Sequence, residues 1–270
     1  MRITFIGGGN MAVALIGGLL GPHGGDATIA VVEPLAAQRE LLAQRFGVAV
    51  HAQASATALD ADAVVLAVKP QQMREVALGI APFVAGRLVI SIAAGIRARD
   101  LSRWLGGHRR IVRCMPNTPA LIGAGITGLA AMPGLDAADR DAAQSVLAAV
   151  GETLWVDDEA GLDAVTAVSG SGPAYVFYFM EAMHRAAREL GLDDAQARSL
   201  TQATFAGAAR LAAGSDEPPS VLRERVTSKG GTTAAALAVM GERGVAAHIV
   251  EALGAACRRS AELGDEFGAR

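Results

Sequence analysis

The run Phe5-Ile6-Gly7-Gly8-Gly9-Asn10-Met11-Ala12 stands between a strand-like segment, Arg2 to Ile6, and a helix-like one, Met11 to Leu20. In that strand, turn and helix setting the G-x-G-x-x-A pattern constrains the fold more than any other feature of the chain. Gly7 permits a tight turn, Gly9 lets a pyrophosphate approach backbone N–H groups at the positive end of a helix, and Ala12 allows close packing. A glycine turn of purely structural purpose is the competing reading.

The rhythm continues. Thr28 to Val32 precedes Leu35 to Phe46, and Ala63 to Val68 precedes Gln71 to Ile80. Strand-like runs recur at Leu88 to Ile92, Arg110 to Cys114, Gly125 to Ala130 and Glu152 to Val156, with helices over Asp100 to Leu105 and Ala137 to Val150 between them. This predicts an α/β, Rossmann-like domain with a parallel sheet over residues 1–157. Asp136 and Asp139 are placed to cap and charge the start of that last helix. Beyond Asp157 strand signals stop, and helical patterns fill 158–270: Leu162 to Val168, Ala174 to Leu190, Ala195 to Ala213, Val221 to Val226, Ala234 to Met240 and Val245 to Leu263. The second domain is predicted to be all-helical. Both tyrosines and two of the seven phenylalanines fall between Tyr175 and Phe179, where the helix is apolar around its whole circumference and must be enclosed. A small helical domain has little depth for this, so a homodimer is expected.

Composition narrows the class. With 51% hydrophobic and 19% charged residues the chain is expected to be compact and soluble rather than disordered. A formal charge of -3 gives no basis for gripping a nucleic acid. Cys114 and Cys257 are too few for a disulfide scaffold, and no leader precedes the first strand, so a cytoplasmic location is expected. Cys114 reads as a buried small hydrophobe. The run Ala174 to Met180 falls well short of the roughly 20 residues that span a bilayer, so no membrane association is expected. No metal is expected from five scattered histidines without an H-E-x-x-H pattern. His184 and His248 read as interfacial or structural; His23, His51 and His108 lie near loop or strand boundaries.

Other segments sit where a doubly wound sheet presents ligands. Glu33 ends the second strand, where a carboxylate accepts from an adenosine ribose and repels a 2'-phosphate, favouring NADH. A solvated loop residue before Pro34 is the alternative, with a route for the phosphate past Arg39. Ala67-Val68-Lys69-Pro70 closes the third strand, with Lys69 facing phosphate, ribose or only water. Ser91-Ile92-Ala93-Ala94-Gly95 forms another strand-end lip. Met115-Pro116-Asn117-Thr118-Pro119 sets Asn117 between rigid prolines, as a nicotinamide contact or a plain turn. Ser169-Gly170-Ser171-Gly172-Pro173 is a helix cap, a lining for a small substrate, or both, with Ser171 the polar group. In Thr227-Ser228-Lys229-Gly230-Gly231-Thr232-Thr233 two glycines, two hydroxyls and the N–H groups of a new helix make an anion-friendly corner suited to a carboxylate. Helix capping by Thr232 or Thr233 is the alternative there.

These motifs together resemble the pyrroline-5-carboxylate reductase family almost end to end, most specifically through Ser169 to Tyr175 and Ser228 to Thr233. The resemblance implies reduction of 1-pyrroline-5-carboxylate to L-proline, usually with NADPH and with some NADH use, by homodimers that in many members form a pentamer of dimers. Taken with the reading of the residues themselves, it gives cofactor contacts at Ile6, Gly7, Gly8, Gly9, Asn10, Met11, Glu33, Ala67, Val68, Lys69, Pro70, Ala93 and Asn117. Substrate contacts are implied at Ser171, Gly230, Gly231, Thr232 and Thr233, with Thr233 the polar residue near the imine. Lys229 stands where many relatives carry proline. Glu33 stands where an NADPH enzyme is expected to tolerate phosphate. A reductase of open-chain oxo acids with a similar helical domain, or a non-catalytic dinucleotide sensor, explains Ser228 to Thr233 less well.

Overall fold

The β-branched runs become strands of one sheet, the inner ones covered on both faces. The computed structural model describes residues 1–21 and 26–269, so His23 lies outside the described residues. β1 (Arg2–Ile6), β2 (Thr28–Val32), β3 (Ala49–His51), β4 (Ala63–Leu66), β5 (Leu88–Ser91), β6 (Ile111–Met115), β7 (Gly125–Ala131) and β8 (Gly151–Trp155) form one sheet in the order β3-β2-β1-β4-β5-β6-β7-β8. β1 is an interior strand, with Phe5 in register with Val31 of β2 and Val65 of β4. Every residue of β4 and β5 is buried, the pattern of strands covered on both sides.

Helices α1 (Asn10–Leu19), α2 (Ala36–Phe46), α3 (Pro70–Ile80), α4 (Ala98–Trp104) and α5 (Ala137–Ala148) cover the sheet. One core gathers Phe5, Leu15, Ile90 and Val146; another gathers Leu66, Met73, Leu101 and Trp104. The expected cap on α5 is present: the Asp136 side chain accepts from the Asp139 N–H at 2.8 Å.

Two features depart from the sequence reading. β3 was not anticipated, because three residues carry no readable period. The sheet is also mixed, since β7 runs antiparallel to β6. Between Met115 and Gly125 there is only a one-turn helix, Thr118–Ile122, whereas a parallel crossover needs about a dozen residues or more.

The chain divides into two compact units, one running from Met1 to Ser171 and resuming at Ala255, the other being Gly172–Gly254. This division falls later than the sequence boundary at 157/158 and returns the chain end to the sheet unit. The physical reason is apolar and polar complementarity at both places. In α6 (Gly161–Val165) Leu162 is buried, and a side chain added at Gly128 on β7 would strike Val165 at 2.7 Å. Within α11 (Val245–Gly268), Phe267 is buried with Ile96, Leu101 and Trp104, Asp265 pairs with Arg97 at 2.6 Å, and Ser260 donates to Asp163 at 2.6 Å.

The second unit holds α7 (Gly172–Glu189), α8 (Asp194–Ala213), α9 (Pro219–Arg225), α10 (Thr232–Glu242) and the start of α11. Asp193 and Gln196 close a capping box on α8, and His184 lies 3.1 Å from Asp194. Among its described residues only Ala197 and Thr201 are buried. The α7 turns expected to be enclosed are open in the single chain, with Phe177 at 58% and Tyr178 at 71% exposure. Among the described residues no helix is long and apolar enough to cross a membrane.

Candidate active site

β1, β2, β4, β5 and β6 run in one direction, so their C-terminal ends share one edge of the sheet. That edge carries the glycine turn from Ile6 to Met11, Glu33, Ala67 to Pro70, Ala93 and Asn117. The chain leaves β1 toward β2 on one side and reaches β4 on the other, which opens a crevice at β1, the place where open α/β sheets bind ligands.

The three glycines of the turn do different work. Gly7 has φ +97°, is buried, donates to the Val32 carbonyl at 2.8 Å, and has the Ala67 oxygen 2.8 Å from where a Cβ would stand. Gly8 is pressed against Leu42, whose Cδ1 would lie 2.6 Å from an added Cβ. Gly9 is different: it is exposed, and a Cβ there would meet nothing within 4 Å. It is the N-cap of α1 and has no side-chain cap; Val13 is the residue whose N–H reaches the Gly9 carbonyl, at 2.9 Å. The N–H groups of Asn10, Met11 and Ala12 therefore lack intrahelical acceptors, and no acidic side chain occupies the first turn. Open space above three free donors at a positive helix end fits a pyrophosphate.

Glu33 lies on the rim but faces inward. Its Oε2 accepts from the Gly8 N–H and its Oε1 from the Leu35 N–H, both at 2.9 Å, and the residue is 8% exposed. Gln38, which the sequence reading did not single out, donates from Nε2 to the Gly8 carbonyl at 2.5 Å. The Gly8 backbone is thus held at its N–H by Glu33, just past β2, and at its carbonyl by Gln38 of α2. Nothing in a single sequence marks Gln38, because an ordinary helix surface carries such residues.

Lys69 is exposed at the N-cap of α3, with Pro70 in the first turn. Ala67 donates to the Ile6 carbonyl at 2.9 Å, which seats the Ala67 to Lys69 segment beside the glycine turn. Ala93 is buried just past β5. Asn117 has its amide engaged: Oδ1 accepts from the Ile126 N–H at 3.0 Å and Nδ2 donates to the Ser169 carbonyl at 3.2 Å. Residues Thr166–Gly170 form a π-helical turn that ends at Ser171, whose N–H reaches the Thr166 carbonyl at 2.8 Å. Such widened turns recur at functional sites. Burial pushes the Cys114 thiol well above its ordinary range, so it remains an inert core group.

The helical unit presents its own corner. Gly230 has φ +72°, and Gly231, the N-cap of α10, donates to the Ser228 carbonyl at 3.0 Å. Neither Thr232 nor Thr233 caps the helix, and among the described residues neither hydroxyl has a hydrogen-bond partner. Free hydroxyls beside uncapped helix amides suit a small carboxylate.

A doubly wound sheet with this glycine turn at its switch point, followed by a helical unit, defines a dinucleotide-binding oxidoreductase of the two-unit class. Residues 159–263 match the family model described as pyrroline-5-carboxylate reductase dimerisation, and residues 2–95 match NADP oxidoreductase coenzyme F420-dependent. A pyrroline-5-carboxylate reductase of Pseudomonas aeruginosa is 48% identical over 268 residues, covering 99% of this chain and 98% of its own. One of Haemophilus influenzae is 45% identical, with 97% of each chain covered. Among solved structures, a pyrroline-5-carboxylate reductase from Coxiella burnetii superposes with a TM-score of 0.91 at 40% identity over 97% of both chains. The Plasmodium falciparum enzyme with NADP bound gives 0.85 at 26% identity over 98% of both. The chain belongs to the pyrroline-5-carboxylate reductase family.

Proposed function

We propose that this protein reduces 1-pyrroline-5-carboxylate to L-proline with NADPH, the final step of proline biosynthesis. The observation that carries the reading is the full-length 48% identity to a reductase of that name, joined to a glycine turn whose Gly9 leaves open space above free helix amides. When bound, the reduced nicotinamide supplies hydride. The chain's own residues position and enclose. Asn10, Met11 and Ala12 amides hold the pyrophosphate, and Ala67 to Pro70 border it. A protonated cyclic imine is already electrophilic, so orientation is the main requirement. Gly230, Gly231 and Thr232 hold the substrate carboxylate, Thr233 hydrogen-bonds near the ring nitrogen, and Ser171 borders the substrate. Thr233 is neutral and acts as an orienter or proton relay, not as a strong acid.

The helical region functions as a dimerisation and substrate domain from 158 onward, a reading supported by the family match over 159–263 and by the scarcity of buried residues in the helical unit. A second copy covering Phe177 and Tyr178 supplies the missing enclosure, and a cleft formed with that copy completes the site. Association of five dimers and a cytoplasmic location extend the same reading.

The test is to follow NADPH and NADH consumption with 1-pyrroline-5-carboxylate and to identify proline. Turnover yielding proline is expected. No turnover with either cofactor would sink the reading. Sedimentation velocity on the same preparation separates monomer, dimer and decamer.

A further inference from the structure

The proposed use of NADPH faces an apparent conflict at Glu33, a carboxylate at the strand end that in doubly wound folds adjoins the adenosine ribose. Its two oxygens are already occupied by the Gly8 and Leu35 N–H groups, and the side chain is buried. The β2–α2 turn also carries a cation. Arg39 donates from Nη1 to the carbonyls of Glu33 and Pro34, each at 2.8 Å, so its guanidinium is anchored over that turn by backbone alone. It is half-buried, and among the described residues it forms no ion pair. The nearest acid on its helix, Glu40, accepts instead from Gln44 at 3.1 Å, and no acidic residue lies in the first turn of α2.

Resting on the reductase reading above, the geometry points to Arg39 as the residue that selects NADPH, its unengaged guanidinium N–H groups receiving the 2'-phosphate while Glu33 serves as a brace for the glycine turn. A guanidinium held in place by two carbonyls retains donors for a phosphate and loses little freedom on binding it. A carboxylate whose two oxygens accept from two backbone amides stays turned into the fold.

The test uses binding, not turnover. Calorimetric titration of the full-length protein with 2',5'-ADP and with 5'-AMP isolates the 2'-phosphate. Arg39→Ala is expected to weaken 2',5'-ADP by about tenfold or more while moving 5'-AMP by less than about twofold, and Arg39→Lys to recover part of the loss. Glu33→Gln is expected to weaken both nucleotides together, because an amide cannot accept from both backbone donors. Equal loss of both nucleotides in Arg39→Ala, or loss of neither, overturns the assignment. So does a larger change in the ratio of the two affinities from Glu33→Gln than from Arg39→Ala. Reduction of the imine by the unmodified protein is measured separately, so an inactive protein that still discriminates through Arg39 refutes the enzymatic reading alone.

Discussion

Asn117 donates its side-chain N–H to the Ser169 carbonyl at 3.2 Å while its own carbonyl accepts from Ile126, so one amide ties the β6 exit, the start of β7 and the π-helical turn together. Asn117→Asp keeps the acceptor for Ile126 and sets an anionic oxygen against the Ser169 carbonyl. A stability loss of about 1–3 kcal/mol is expected in urea unfolding. Because the displaced turn ends at Ser171, KM for the imine should rise more than KM for the cofactor. An unchanged unfolding midpoint would remove the brace.

The glycine turn separates folding from binding. Gly7→Ala forces a side chain into φ +97° and within 2.8 Å of the Ala67 oxygen, so it should destabilise the protein by roughly 1–3 kcal/mol. Gly9→Ala meets no protein atom within 4 Å and should melt like the parent, while weakening NADPH binding measured by fluorescence quenching. Normal NADPH affinity in the folded Gly9 variant would show that the pyrophosphate lies elsewhere.

Among the described residues the Thr233 hydroxyl, at the start of α10, has no hydrogen-bond partner. Thr233→Val, nearly the same in shape, should lower kcat/KM for the imine by about tenfold or more and leave the Kd for NADPH in place. Thr233→Ser should recover much of the rate. Equal rates for Val and Thr would take Thr233 out of the orienting role.

The last turns of α11 belong energetically to the sheet unit. Phe267→Ala removes an 8%-exposed ring from the core beside Ile96 and Trp104 and should cost about 3–5 kcal/mol in denaturant unfolding. A cost under about 1 kcal/mol would mean that this helix end is only loosely docked.

His108 gives a pH signature. Burial, reinforced by the nearby Arg110 charge, holds its pKa below the ordinary 6.5, and its Nε2 lies 2.9 Å from the Arg87 carbonyl, to which the neutral ring can donate. Below 6.5 the unfolded chain binds more protons than the folded one. The stabilising contribution is therefore complete above that pH and is lost as pH falls through the folded value. Melting temperature should drop across this window, and His108→Gln should flatten the drop; identical slopes would assign it to other groups.

The sequence by itself determined the alternation of strand and helix, the turn at Gly7 to Gly9 and the helical second half, because each rests on short-range pattern: apolar period, glycine placement and helix caps. Family membership was legible for the same reason, since Ser169 to Tyr175 and Ser228 to Thr233 are contiguous strings. Tertiary structure alone decided the reversal of β7, the return of Phe267 to the sheet, and what Glu33, Gln38 and Asn117 do. A carboxylate at a strand end can meet a ribose or a backbone amide with equal chemical sense. Only the fold, by bringing the Gly8 N–H to one oxygen and the Leu35 N–H to the other, turned Glu33 inward and set Arg39 on the Glu33 and Pro34 carbonyls.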